Sequence, residues 1–220
     1  MTEMNFEQAR FNMIEQQIRP WEVLDPRVLE VLATVPREDF VPERYRKLAF
    51  SDLALPIGHG QAMMPPALEG RLLQAVAPQP TDHVLEIGTG SGFLTACLAR
   101  LAARVESVEI FDDLRLSAVA KLHRHGIDNV ALHYGDGAHG WPAGGRYDVI
   151  VLTGSVPEIP PSYLSQLNLG GRLFAVTGDS PVMAAELVTR ASDDQWAWES
   201  LFETDLPRLL NAERPPGFEL

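Results

Sequence analysis

From residue 83 to residue 178 short apolar runs alternate with helical stripes, and this alternation narrows the possible folds more than any other feature. "HVLEIG" (83–88), "RVESVEI" (104–110), "NVALHYGDG" (129–137), "YDVIVLTG" (147–154) and "GRLFAVTG" (171–178) read as strands, the third running into a loop. Between them "GFLTACLARLA" (92–102), "DLRLSAVAKLHRHG" (113–126) and "PPSYLSQLN" (160–168) read as helices. Strands and helices alternating at this spacing predict an α/β fold: an open, mostly parallel sheet with helices on both faces. The tail "WAWESLFETDL" (196–206) suits antiparallel edge strands. No internal repeat and no long linker interrupts the pattern.

The N-terminal part reads differently. Phe6, Ala9, Met13, Ile14 and Ile18 follow helical spacing until Pro20. Asp25 then caps "PRVLEVLATV", with Pro26 at the first helical position and Pro36 past the end. After Pro66, Leu68, Leu72, Leu73 and Val76 form one helical stripe. The stretch between, "LPIGHGQAMMPPAL" (55–68), reads as a shaped loop, neither strand nor helix.

Composition excludes several classes. A length of 220 residues with 45% hydrophobic content supports one well-buried core. The net charge of −12, with no basic run, argues against nucleic acid as a partner. The single cysteine, Cys97, allows no internal disulfide, and neither CxxC pairs nor histidines at ligand spacing suggest a metal. No apolar run approaches the roughly 18 residues of a membrane span, and the polar start lacks the apolar core of a signal peptide. The expectation is a cytoplasmic protein without membrane contact.

"VLEIGTGSGF" (84–93) is the sharpest local signal. Gly88, Gly90 and Gly92 follow a strand and open a helix, where free N–H groups and close backbone approach favour a ligand. A dinucleotide fingerprint needs a glycine at position 93, and Phe93 stands there, so a nicotinamide oxidoreductase is disfavoured. Glu109 ends the next strand, about twenty residues on, where a carboxylate can accept ribose hydroxyls. Asp136, in "GDG" with Gly137, ends the third strand and can accept from an adenine amine. Neither a nucleophile elbow nor a P-loop is present.

This order resembles the class I S-adenosylmethionine-dependent methyltransferases. The resemblance implies a Rossmann-like fold with a seven-stranded sheet. It implies that Gly88, Gly90 and Gly92 pass under the cofactor's amino-acid part. Glu86 and Ile87 lie at its methionine end, Phe93 fills a position where relatives often have Tyr, Glu109 holds the ribose, and Asp136 and Gly137 meet the adenine. The product would be S-adenosylhomocysteine.

Within that class nearly the whole chain is similar to the protein-L-isoaspartate O-methyltransferases. "RVLEVLATVPREDFVPERYRKLAFSDLALPIGHGQ" (27–61), the glycine motif, "GDG" and "YDVIVLTGSVPEIPPSYLSQLNLGGRLFAVTG" (147–178) follow in that family's order, and "DLPRLL" (205–210) takes the place of a late strand. The resemblance implies one methyltransferase domain over 1–220, with an N-terminal helical extension and acceptor-side loop in 1–66 and the cofactor core in 67–220. It implies methyl transfer to the carboxylate of isoaspartyl residues in damaged proteins; separately, a monomer or weak dimer is expected. A carboxylate is already a nucleophile at neutral pH, so placement and exclusion of water are what the chain must supply.

The family carries Thr and Ser in the loop after "LPIG"; here Ala62 and Met64 stand there, with Gln61 and Pro66 in register. Ile57, Gln61 and Met64 are the expected acceptor-side residues. Methionine cannot donate a hydrogen bond. Three readings follow: isoaspartate activity at reduced efficiency, a different and more apolar small acceptor, or cofactor binding without transfer. His59 reads as a loop-packing residue, because a carboxylate acceptor needs no base. Thr153 and Ser155 are the nearest candidates to replace the lost hydroxyls.

Overall fold

The computed structural model describes residues 4–142 and 145–212. Seven strands form one sheet: β3 (His83–Ile87), β4 (Arg104–Glu109), β5 (Val130–Tyr134), β6 (Tyr147–Val156), β7 (Leu167–Asp179), β8 (Val182–Arg190) and β9 (Trp196–Thr204). Their spatial order is β5-β4-β3-β6-β7-β8-β9, with the β7–β8 and β8–β9 pairs antiparallel and all other pairs parallel. This is the open, mostly parallel sheet that the alternation predicts, in the Rossmann-like arrangement of seven strands that the methyltransferase resemblance implies.

The central strands are mostly apolar because both of their faces are covered, with the buried Glu86 of β3 the exception that matters for the site. Val84, Val149 and Val151 point into one core with Leu32, Leu72 and Leu98. These come from helices α2 (Pro26–Thr34), α3 (Pro66–Val76) and α4 (Phe93–Leu101). Leu85, Ile150 and Leu152, the alternate positions, point into a second core with Tyr163 of α6 (Pro161–Gln166). Helix α5 (Asp112–Arg124) adds Leu122 to the first core. The N-terminal extension packs there too, through Met13 and Ile18. Its helix α1 (Phe6–Met13) runs on into a wider turn over Ile14–Ile18 and a tight one over Arg19–Trp21. Asp25 caps α2 as expected, accepting from the Arg27 N–H at 2.9 Å.

Three expectations need correction. The stretch after Leu55 is a hairpin, β1 (Leu55–Gly58) and β2 (Gln61–Met63), paired Leu55↔Met63 and Pro56↔Ala62. Strands of four and three residues are too short for a readable period, and Pro56 hides the first of them. Gly58, His59 and Gly60 turn it, all at positive φ. Strand β8 had no counterpart in the sequence reading, because "AAEL" within it favours helix; its pairing with β7 and β9 overrides that preference. Residues 205–210 form no strand, only a single bridge from Arg208 to Ser155. Pro207 has no N–H to extend the ladder.

Candidate active site

A cleft opens at the carboxyl ends of β3, β4, β5 and β6, where an open α/β sheet binds ligands. Its floor is the turn after β3. Gly88 has φ +96°, and a Cβ there would overlap the Thr153 hydroxyl. Gly90 has φ +52° and faces Ile57 of the hairpin, whose Cδ1 lies 3.1 Å from where a Cβ would stand. Any side chain at either position would close the cleft as well as strain the turn.

Glu86 lies under this turn, fully buried. Its Oε2 accepts from Thr95 Oγ1 at 2.5 Å and Ser107 Oγ at 2.6 Å. Its Oε1 is buried and has no partner among the described residues, although Glu86 lines the cleft. Burial pushes its carboxyl up to about 8, against the two hydroxyls that favour the ionised form. A cationic ligand group would satisfy the orphaned oxygen. The ammonium of S-adenosylmethionine's amino-acid part fits that requirement.

Glu109 is also buried and lines the cleft. Its two oxygens accept from the Gly90 N–H at 2.8 Å and the Phe111 N–H at 3.0 Å. Both keep a further lone pair for a ligand hydroxyl. Asp136 accepts from the Ala138 N–H at 2.9 Å and from Asn211 Nδ2 at 2.8 Å, at the opposite end of the cleft lining with Gly137. The structure thus brings Glu86, Ile87, Gly88, Gly90, Glu109, Asp136 and Gly137 to one cavity. Gly92 and Phe93 stand behind it. Phe93 is in the core, edge-on to Phe40 at 5.8 Å between ring centroids. A cofactor contact for the Phe93 side chain therefore has no geometric basis here.

The hairpin forms the other wall, through Ile57, Gln61, Ala62, Met63 and Met64. Gln61 turns its amide back to the His59 carbonyl at 3.2 Å. His59 stacks on Phe111 at 4.1 Å and meets Asp113 at 2.8 Å through Nε2, tying the hairpin to the start of α5. The His59 hydrogen bond holds the Asp113 carboxyl below its ordinary range. This is the packing role expected of His59. Thr153 lines the cleft, its hydroxyl within reach of the Ile87 and Gly88 carbonyls at 2.9 and 2.8 Å. Ser155 lies outside the lining, fully buried.

Sequence reasoning missed a buried ion pair at this wall. Arg37 and Glu69 are both buried and bonded to each other. Arg37 also donates to the carbonyls of Met64 at 2.6 Å and Ala49 at 2.8 Å. Burial pushes the Glu69 carboxyl up to about 7, while Arg37 opposes the rise. The readable signal was Glu69 itself, a charge on the apolar stripe of Leu72, Leu73 and Val76.

Comparison with known proteins gives this geometry a lineage. Residues 8–205 match the family model described as protein-L-isoaspartate(D-aspartate) O-methyltransferase. Protein-L-isoaspartate O-methyltransferase 1 of Rhodopseudomonas palustris (strain HaA2) is 40% identical over 95% of this chain and 86% of its own. The protein-L-isoaspartate O-methyltransferase of Protochlamydia amoebophila is 39% identical over 91% of this chain and 96% of its own. Among solved structures, a Plasmodium falciparum chain crystallised with S-adenosyl-L-homocysteine superposes with a TM-score of 0.78. The match covers 94% of this chain and 99% of that one, at 20% identity, and speaks for the fold. A solved protein-L-isoaspartate O-methyltransferase gives a TM-score of 0.76 at 26% identity, covering 93% of this chain and 65% of that one. Family model, relatives and fold agree: the chain belongs to the protein-L-isoaspartate(D-aspartate) O-methyltransferase family.

Proposed function

We propose that this protein transfers a methyl group from S-adenosylmethionine to the carboxylate of isoaspartyl residues in damaged proteins and peptides. The observation that carries the reading is Glu86: a buried carboxylate beside the glycine turn, with one oxygen that has no partner among the described residues, in a chain of this family. S-adenosylmethionine, when bound, supplies a methyl group on a sulfonium, a good leaving group. In this reading Glu86 takes the ammonium, the backbone of Gly88 and Gly90 lets the ligand lie close, Glu109 accepts from the ribose, and Asp136 and Gly137 flank the adenine. Ile57, Gln61 and Met64 shape the acceptor side.

The chain's task is placement and exclusion of water, since the acceptor needs no base. Met63 and Met64, both nearly buried, form an apolar wall that keeps water from the reacting groups. The same wall is the one feature that favours a more apolar acceptor, or no transfer at all. Relatives at 40% identity bearing the isoaspartate name weigh towards the first reading.

The proposed working unit is the whole of 1–220 as one methyltransferase domain, with 1–66 serving the acceptor and 67–220 the cofactor, as a monomer or weak dimer in the cytoplasm. No helix among the described residues is long and apolar enough to cross a membrane. The charge of −12 disfavours nucleic acid as a substrate.

A thermal shift tests the cofactor half. A ligand at a hundred times its Kd stabilises by about 2.7 kcal/mol. S-adenosylhomocysteine should raise the melting temperature and NAD should not; no shift with the former would end the methyltransferase reading. Methyl-labelled S-adenosylmethionine with an isoaspartyl peptide should then leave the label in a base-labile ester.

A further inference from the structure

The acid-base balance of the cleft poses a problem for the proposed reaction. Four carboxylates line it: Glu69, Glu86, Glu109 and Asp136. The acceptor is a fifth. The sulfonium and ammonium of bound S-adenosylmethionine offset part of this negative charge, and a cationic side chain beside the acceptor would add to them. Arg37 is committed to Glu69 and two carbonyls and does not line the cavity. Among the described residues one cationic side chain lines it, Arg208.

Arg208 is built into place. Its neighbours Pro207 and Leu209 exchange backbone hydrogen bonds with Ser155, both at 2.9 Å, which anchors the segment to the end of β6. Leu209 packs over Gly88 and Gly154, so the segment roofs the glycine turn. The guanidinium Nη2 donates to the Gly178 carbonyl at 2.9 Å and pairs with Asp179. Its Nη1 and Nε have no partner among the described residues, and the side chain is 30% exposed. One end of the fork is therefore fixed, and Arg208 lines both the cleft and the surface beside Ser180, Met183 and Asp205. The hairpin opposite offers no hydroxyl between Gln61 and Met64.

We propose that Arg208 is the substrate-binding residue that receives the acceptor's carboxylate and sets the preference for an anionic acceptor. This rests on the methyltransferase reading above and names the group that holds its substrate. The charge logic of the reaction supports it. A carboxylate oxygen lone pair forms the new O–C bond, and the electron pair of the broken S–C bond returns to sulfur. Carboxylate and sulfonium charges vanish together, and no proton moves. Arg208 would thus hold the substrate by a charge-assisted hydrogen bond and lose its hold on the neutral ester, which favours release.

The test uses the full chain with Arg208→Met and Arg208→Lys. The KM for an isoaspartyl peptide should rise about ten- to hundredfold in Arg208→Met, with kcat changed far less. Peptide affinity of the S-adenosylhomocysteine-loaded protein, read by calorimetry, should fall by a similar factor. Arg208→Lys should keep part of the affinity, as a point charge without the fork. The thermal shift with S-adenosylhomocysteine should be the same in all three proteins. Unchanged KM and peptide affinity in Arg208→Met, beside an active wild type, would overturn the proposal. So would a Lys variant as weak as the Met variant, since packing and not charge would then be at work. A wild type that binds S-adenosylhomocysteine but methylates no isoaspartyl peptide would instead remove the functional reading, and this proposal with it.

Discussion

Glu86 is held between two demands. As a buried carboxylate it carries a desolvation cost that its two hydroxyl donors only partly offset. The folded chain keeps its proton up to about pH 8, whereas the ordinary value is 4.5. Between those values the native state binds more protons than the unfolded state. Stability of the ligand-free protein should therefore fall as pH rises from about 4.5 towards about 8. Glu86→Gln removes this titration. Its unfolding free energy, from urea titrations, should drop less than the wild type's between pH 5 and pH 8, by on the order of 1–3 kcal/mol. The same variant should bind S-adenosylhomocysteine at least tenfold more weakly, because the neutral amide can accept a hydrogen bond from the ammonium but supplies no charge to pair with it. A variant that gains nothing at pH 8 would show that Glu86 is already ionised in the ligand-free fold. Glu69 leans in the same direction, but its pairing with Arg37 is common to both proteins and cancels in the comparison.

At the scale of elements, the hairpin β1–β2 decides how the acceptor side is presented. It is outside the main sheet, closed by a turn at positive φ and latched to α5 through His59, Phe111 and Asp113. Gly58 has φ +110° with open space around it, so a larger residue meets strain and no clash. Gly58→Val should cost about 1–3 kcal/mol, spent locally on the hairpin. Amide exchange at Ala62 and Met63 should quicken and the peptide KM should rise, with the global melt nearly unchanged. Protected hairpin amides in that variant would contradict the account. This element was also the least legible one. Its strands of four and three residues give no periodicity, and the Gly-His-Gly run reads equally as a loop. The buried strands β3, β6 and β7 were legible because both of their faces are covered, which leaves short apolar stretches such as 149–152 and 173–176 in the sequence. Strand β8 was not, since its preference is overridden by its two neighbours.

Across the whole molecule, the sheet places residues that are far apart in sequence on one rim. Gly88, Glu109 and Asp136 stand at or just past the ends of successive strands and Thr153 lies within β6, which is why residues read from motif order line one cavity. The acceptor half depends on contacts between distant segments. Arg37 reaches Met64 and Glu69, and Arg208, which follows the edge strand β9, lines the cleft. No local pattern announces such pairs; Glu69 on an apolar stripe was the nearest to a signal. The central claim is methyl transfer to an isoaspartyl carboxylate despite Ala62 and Met64, and one comparison tests it most directly. The purified protein would be given S-adenosylmethionine with an isoaspartyl peptide or with its matched aspartyl peptide, and S-adenosylhomocysteine would be quantified by mass spectrometry. The account predicts product with the isoaspartyl peptide and none above background with the aspartyl one. Equal product from both, or none from either by a protein that binds the cofactor, would contradict it.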